Sequence, residues 1–175
     1  DYDLETGKVL RKVTWQGAAD SSAWSRGQGW GLYGYTMMYR FTKDKRYLQQ
    51  ATKIASFILK NPTLPDDKIP YWDFNAPSIP NALRDASAGA LIASALLELG
   101  QYATKKEKKE YVAVAEKMIQ SLASDKYRAK LGENGGFILM HSVGALPFNS
   151  EVDVPLTYAD YYFLEALLRY KKWYL

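Results

Sequence analysis

Residues 13–34 read VTWQGAADSSAWSRGQGWGLYG. From Ser21 to Phe41, Trp24, Trp30, Tyr33, Met37, Met38 and Phe41 recur at helical spacing, which predicts a helix starting near Ser21 or Ser22. Gly27, Gly29, Gly31 and Gly34 each weaken such a helix by about 1 kcal/mol relative to alanine. Four of them on one helix predict close approach by another helix or by a ligand. Arg26 and Trp30 stand four residues apart, on one helical face. A cation beside an aromatic plate suits a ligand that is both anionic and ring-shaped, such as a sugar acid. The guanidinium would fork onto its carboxylate and the indole would pack on the ring's apolar face.

Working outward, residues 1–20 read as a turn and an extended piece, with Val9, Leu10 and Val13 as candidate strand positions. Asp44 reads as the N-cap of a second helix reaching Asn61, with Leu48, Ala51, Ile54, Ala55 and Ile58 on its buried face. Asn61–Pro80 holds five of the seven prolines, and so long a connection is read as a functional or lid loop. Asp85 is placed as the cap of a third, small-residue helix from Ala86 to Gly100. Thr104-Lys-Lys-Glu107 matches a capping box for a fourth helix ending near Ser124. Residues 125–153 are mixed loop, with Gly135-Gly136 before the apolar stretch Phe137–Met140. Thr157-Tyr-Ala-Asp160 reads as another capping box, for a last helix to about Lys171. The sum is an all-α chain of helix pairs, joined alternately by short turns and long loops.

Composition narrows the function classes. With no cysteine, a disulfide framework and a Cys-based metal site are excluded. One histidine, no HExxH and no Asp-x-Asp-x-Asp-Gly loop leave no metal spacing, and no cofactor is implied. Gly-x-Gly-x-Gly at 27–31 lacks the strand that precedes a dinucleotide loop. The cationic run Lys105–Lys109, interrupted by Glu107, reads as a solvated helix start, so no nucleic-acid partner is expected. No stretch approaches the roughly 20 apolar residues needed to span a bilayer, so no membrane partner is expected either. The polar opening, Asp1-Tyr-Asp-Leu-Glu-Thr-Gly7, reads as the interior of a longer protein. Aromatics at 14% are abundant enough to line a carbohydrate site, although a helical core would also absorb them.

The stretch 13–34, with PYWDF at 70–74, LRDASAGALIASALLEL at 83–99, GFILMHSV at 136–143 and DYYFLEALLRY at 160–170, resembles the unsaturated glucuronyl hydrolases, glycoside hydrolase family 88. The resemblance spans essentially the whole chain. It implies an (α/α)6 barrel of twelve helices. With about five helices counted here, residues 1–175 are expected to be the C-terminal half of one barrel domain. The N-terminal half would then be missing, and an apolar face would stand uncovered. The implied reaction adds a proton at C4 and water at C5 of a Δ4,5-unsaturated uronyl residue, and the hemiketal so formed opens and expels the aglycone. The family's two catalytic aspartates lie upstream of the segment matching residue 15, so no catalytic residue is expected here. The expected partners are an unsaturated uronic-acid oligosaccharide and the missing half-barrel.

By the same resemblance Gln16, Arg26 and Trp30 match substrate-contacting positions, and His141 falls where the family places a site-facing histidine. Trp15 stands where related members carry histidine, exchanging a titratable donor for a stacking plate. Each has a plainer reading. Trp24 and Trp30 would be core aromatics, Arg26 a buried ion-pair partner, and His141 structural. Asp73 is read as lining the mouth of the site, as a turn residue, or as an ion-pair partner of Arg84, and Asp160 as a first-turn carboxylate. The loop Ser142–Asp153 contains no lysine and two acids, which speaks against the sulfate contact some relatives make there. Two other functions stay in view: a non-catalytic helical module binding sugar or protein, and an unsaturated rhamnogalacturonyl hydrolase.

Overall fold

The computed structural model describes residues 1–175. It contains five α-helices: α1 Ser25–Thr42, α2 Lys45–Lys60, α3 Ala86–Leu99, α4 Lys105–Leu122 and α5 Thr157–Trp173. Between them lie two short 3-10 turns, Asn134–Gly136 and Leu146–Phe148, and isolated β-bridges. None of the helices is long and apolar enough to cross a membrane.

Helix α3 organises the rest. It packs between α1 and α5, while α2 backs onto α1 and α4 onto α3. All its residues are buried, as expected of a helix that is apolar on every side. Its alanines, serines and single glycine let neighbours come close. On α1, a Cβ at Gly29 would stand 3.0 Å from Leu91, so the two inner helices meet at a position with no room for a side chain. The expectation of helix approach at the α1 glycines is met at Gly29 and at Gly31, where Ile54 of α2 lies 3.1 Å from the missing Cβ.

The helix borders follow local chemistry. Lys43, in the left-handed region at φ 58°, closes α1 with its N–H on the Tyr39 carbonyl, and Asp44 caps α2 through the Arg46 N–H. Asp85 caps α3 and Thr104 forms the full capping box of α4, both as the sequence indicates. Helix α1 begins at Ser25 and not near Ser21. The Ser22 hydroxyl lies within hydrogen-bond distance of Asp73 and the Ala19 backbone, in a tight turn, and cannot cap a helix from there. Asp160 is no capping-box member, because its two carboxylate oxygens accept the N–H groups of Ile138 and Leu139, each at 2.8 Å. The strand expected at Val9–Val13 does not form. Only a Tyr2–Val9 bridge exists there, and with no neighbouring strand to pair with, Val9 and Leu10 stay exposed.

Ion pairs tie both ends of the α1–α3–α5 row. At the N-terminal end Arg26 of α1 meets Asp85 at the cap of α3. At the other end Glu98 of α3 receives Arg169 of α5 at 2.9 Å and Arg40 of α1 at 3.3 Å. Between them the Tyr33 hydroxyl donates to Glu165 at 3.0 Å, and Ser94 donates to the second oxygen of the same carboxylate. The row ends openly. On α5, Tyr161, Leu164 and Leu168 are exposed at i, i+3 and i+7; on α1, Trp30, Met38 and Phe41 are exposed.

Two outcomes test this packing in the full-length protein. Leu96→Ala, at a fully buried position of α3, should cost about 2–5 kcal/mol, whereas Leu131→Ala, on a fully exposed loop, should stay within about 0.5 kcal/mol. Equal shifts in urea midpoint would disprove the core assignment. Burial, together with the Glu165 carboxylate and against the pull of Arg169, pushes the Tyr33 hydroxyl up to about 12. The unfolded tyrosine loses its proton first, near pH 10, so this group's share of stability is intact below about pH 10 and is lost towards pH 12. Tyr33→Phe should therefore flatten the alkaline fall in urea midpoint between about pH 9 and about pH 11. An unchanged slope would contradict it.

Candidate functional site

The N-terminal ends of α1, α3 and α5 converge, and long loops close over them. The first N–H of α1, at Ser25, bonds the Trp72 carbonyl, and the first of α3, at Ala86, bonds the His141 carbonyl. Arg26 sits at the centre, 3% exposed, beside a fully buried Asp85. Its Nη1 donates to Asp85 at 3.0 Å, to Ser87 and to the Val143 carbonyl; its Nη2 donates to the Gly144 carbonyl at 2.6 Å. The guanidinium also lies over the rings of Trp24, at 4.7 Å, and Tyr158, at 5.2 Å. Asp85 in turn accepts Ser87 and the Val143 N–H. Burial pushes the Asp85 carboxyl above the usual carboxylate range, and Arg26, Ser87 and the Val143 N–H oppose that push.

This arrangement engages the Arg26 fork with protein groups. What it holds is the hairpin 142–154, closed by Ser142 and Val154 exchanging backbone hydrogen bonds and by Gly144 N–H on the Glu151 carbonyl at 2.7 Å. Gln16 joins the same anchor, its Nε2 donating to the Gly144 carbonyl at 3.0 Å. Trp15 is 65% exposed and stacks on Phe148 of the hairpin, ring centroids 5.9 Å apart. Trp30, 39% exposed, meets the edge of Tyr162 at 5.3 Å, and Tyr162 lies one α5 turn beyond Tyr158. Gln16, Arg26 and Trp15 thus gather on one hairpin, and Trp30 continues the same α1–α5 seam.

His141 stands apart. It lines a depression of about 250 Å³ with Arg84, Lys126, Tyr127 and Asp153, and none of the other four residues reaches it. Its Nδ1 lies 2.8 Å from an Asp153 oxygen. Facing a carboxylate, Nδ1 is the donor, and Nε2 has no protein partner. His141 and Asp153 both hold left-handed backbone, φ 62° and 54°, a cost that loops bear where a side chain has to be aimed. A further concavity, of about 550 Å³, is the inside of the 128–138 surface loop and contains none of the expected residues.

Asp73 and Asp67 are engaged by protein groups. Asp73 is fully buried and ties the 17–22 turn to the 71–75 segment, accepting Ala18 N–H, Ser22 and Asn75 N–H. Of the readings of Asp73, the pair with Arg84 is not formed, because Arg84 binds Asp67, which also receives Lys126 and Tyr127. Sequence reading passed over Phe148 and Tyr158. Tyr158 was legible only as part of a capping pattern, and Phe148 lay in a loop judged by its lack of lysine. No group of three His, Asp or Glu residues is placed to hold a metal ion.

If Arg26 is the hairpin's anchor, Arg26→Ala leaves a buried carboxylate and two carbonyls without their partner. It should cost about 3–5 kcal/mol by urea denaturation of the full-length protein, with Arg26→Lys intermediate and the exposed Lys53→Ala near neutral. A fully stable Arg26→Ala protein would remove the anchor role.

No protein-family model matches the chain. An unsaturated glucuronyl hydrolase of Formosa agariphila is 48% identical over 97% of this chain and 42% of its own length. The crystal structure of an unsaturated glucuronyl hydrolase specific for heparin superposes with a TM-score of 0.94 at 54% identity, covering 98% of this chain and 46% of that one. A mutant of the Streptococcus agalactiae unsaturated glucuronyl hydrolase, complexed with dGlcA-GalNAc6S, gives a TM-score of 0.81 at 35% identity over 99% of this chain and 46% of its own. The chain is therefore similar to unsaturated glucuronyl hydrolases along nearly all its residues, shares their helical-hairpin fold, and spans less than half the length of those proteins.

Proposed function

We propose that residues 1–175 are the C-terminal part of a single (α/α)6-barrel glycoside hydrolase acting on Δ4,5-unsaturated uronyl oligosaccharides released by polysaccharide lyases. The observation that carries this reading is the likeness of the whole chain, at 54% identity and a TM-score of 0.94, to a solved unsaturated glucuronyl hydrolase of about twice the length. The open faces agree with it. Exposed Tyr161, Leu164 and Leu168 at one end of the helix row, and Met38 and Phe41 at the other, are where further hairpins of a closed ring would pack.

In this reading the N-terminal half supplies the aspartates that deliver a proton to C4 and activate water for C5. The hemiketal at C5 then opens and the aglycone leaves. This chain orients the substrate. Trp30 and the α1–α5 aromatic seam offer a wall for the uronyl ring. Gln16 and the Arg26-anchored hairpin fix the position of that wall against the loops. Arg26 acts through Gly144, Val143 and the plates of Trp24 and Tyr158, as a positioning residue. His141, with Nε2 free, is proposed as a further polar contact from the neighbouring depression.

The test is loss of the absorbance of the conjugated double bond. The longer protein that contains this chain should consume unsaturated uronyl disaccharides, and purified residues 1–175 should not, because positioning groups cannot replace the missing acid. Comparable turnover by residues 1–175 alone would place the catalytic acid within this chain and overturn the division of labour. No turnover by the longer protein would overturn the activity.

A further inference from the structure

The end of the helix row away from the converging loops carries a charge that the fold does not use. The C-terminal ends of α1, α3 and α5 meet there, and the short connections 43–44 and 100–104 bring the first turns of α2 and α4 to the same end. Lysines come from three places. Lys43 and Lys45 flank the α1–α2 turn, four stand in the run Lys105-Lys-Glu-Lys-Lys109 that opens α4, and Lys171 and Lys172 lie in the last turn of α5. Contacts join them into one surface. Lys43 Nζ lies over the rings of Tyr39 and Tyr102, at 5.7 and 5.6 Å. Gln101, beside Tyr102, donates to the Tyr174 hydroxyl at 2.6 Å, and Lys108 Nζ lies 5.2 Å over the Tyr174 ring.

None of these lysines has a carboxylate partner. The acids nearby are taken: Glu98 by Arg40 and Arg169, Asp44 by Arg46, and Glu107 by the Thr104 cap. Lys105 and Lys106 even weaken α4, since cations in a first turn oppose the helix dipole. With Arg46, the three segments hold nine cations and three acids, Asp44, Glu107 and Glu110. That leaves 14 cations and 16 acids for the rest of the chain, which is therefore slightly acidic. The basic end lies about 20 Å from the converging loops, the length of α3. A one-sided field of this kind gathers anions.

We propose that this lysine end binds a linear uronate-bearing polysaccharide, the kind of polymer whose lyase products the protein is proposed to hydrolyse. The inference rests on that activity: a hydrolase of lyase products works beside the polymer, and a hold on it keeps the protein where product is released. Lysine meets carboxylates and sulfates as a point charge without fixed geometry, which suits anions strung along a chain at varied spacing. A nucleic-acid strand would want free aromatic plates for its bases, and here lysines lie over Tyr39, Tyr102 and Tyr174. Unpaired ammonium groups are also costly to bury, so this end stays open when further hairpins pack on the apolar edges of the row.

The experiment is isothermal titration of the longer protein that contains this chain with heparin and with hyaluronan. One variant combines Lys105→Glu, Lys106→Glu and Lys109→Glu; glutamates in that turn agree with the helix dipole and keep the fold. The control combines Lys53→Glu, Lys117→Glu and Lys130→Glu, the same change of net charge at exposed lysines elsewhere. The parent should bind both polymers, and its affinity should fall about tenfold or more between about 50 and about 200 mM salt. At the lower salt the α4 variant should lose about tenfold or more in affinity and the control less than about threefold. The neutral Lys105→Gln, Lys106→Gln, Lys109→Gln protein should fall between parent and α4 variant. Urea midpoints should stay near the parent's, and kcat/KM on an unsaturated uronyl disaccharide within about twofold. Failure to bind either polymer, equal losses in the α4 variant and the control, or tighter binding to a DNA duplex or to vesicles of equimolar phosphatidylserine and phosphatidylcholine overturns the inference alone. Disaccharide turnover absent from a parent whose polymer binding still depends on Lys105–Lys109 overturns the proposed activity and leaves the anion-binding surface supported.

Discussion

The buried pair of Arg26 and Asp85 is the contact on which the converging ends of the helices depend. Asp85 has two tasks. It caps α3 through Ser87 and takes the charge of an arginine from the first turn of α1. Neither task alone would justify a fully buried carboxylate, since removing it from water costs several kcal/mol. Together with the Val143 N–H they surround it with donors. Arg26 reaches past Asp85 to the carbonyls of Val143 and Gly144, so one ion pair sets the register of α1, the start of α3 and the position of a hairpin more than a hundred residues away.

The opposite end of the row repeats the device with the same polarity and a second cation. There the carboxylate of Glu98 is on α3 and the cations are on α1 and α5. Small residues along α3 allow the close approach that brings these side chains within reach, and ion pairs at both ends keep three inner helices from sliding on a surface of alanine and glycine that offers little shape of its own. Packing supplies the affinity between helices, and the charges supply the alignment.

Much of the helical outline was legible because capping chemistry is local. Asp44, Asp85 and Thr104 act within three residues of themselves, and each cap was found where its pattern stood. The failures at Ser22 and Asp160 have one cause. Both side chains carry the right groups for a cap and use them on partners 51 and 22 or 21 residues away, Asp73 and the Ile138–Leu139 backbone. The candidate site's grouping was legible only as nearness in sequence. Trp15, Gln16 and Arg26 could be picked out as a group, but the hairpin that gathers them is distant in sequence, and its Phe148 gains meaning only once Trp15 is seen against it.

The free Nε2 of His141 and the engaged fork of Arg26 show how burial divides labour among polar groups. A cation that is 3% exposed and surrounded by acceptors has little left to offer a ligand; its influence passes through what it holds. A half-exposed imidazole with one nitrogen fixed by Asp153 keeps its other nitrogen available. The aromatic groups divide in the same way. Trp24 and Tyr158 cover the guanidinium and shield the ion pair from water, which strengthens it, while Trp15, Phe148 and Trp30 keep open faces. The interior members of the cluster make the hairpin rigid, and rigidity is what lets the exposed members present flat surfaces at fixed positions. A saccharide ring, whose recognition rests on many weak contacts across a face, gains most from such a surface, because little ordering entropy remains to be lost when it binds.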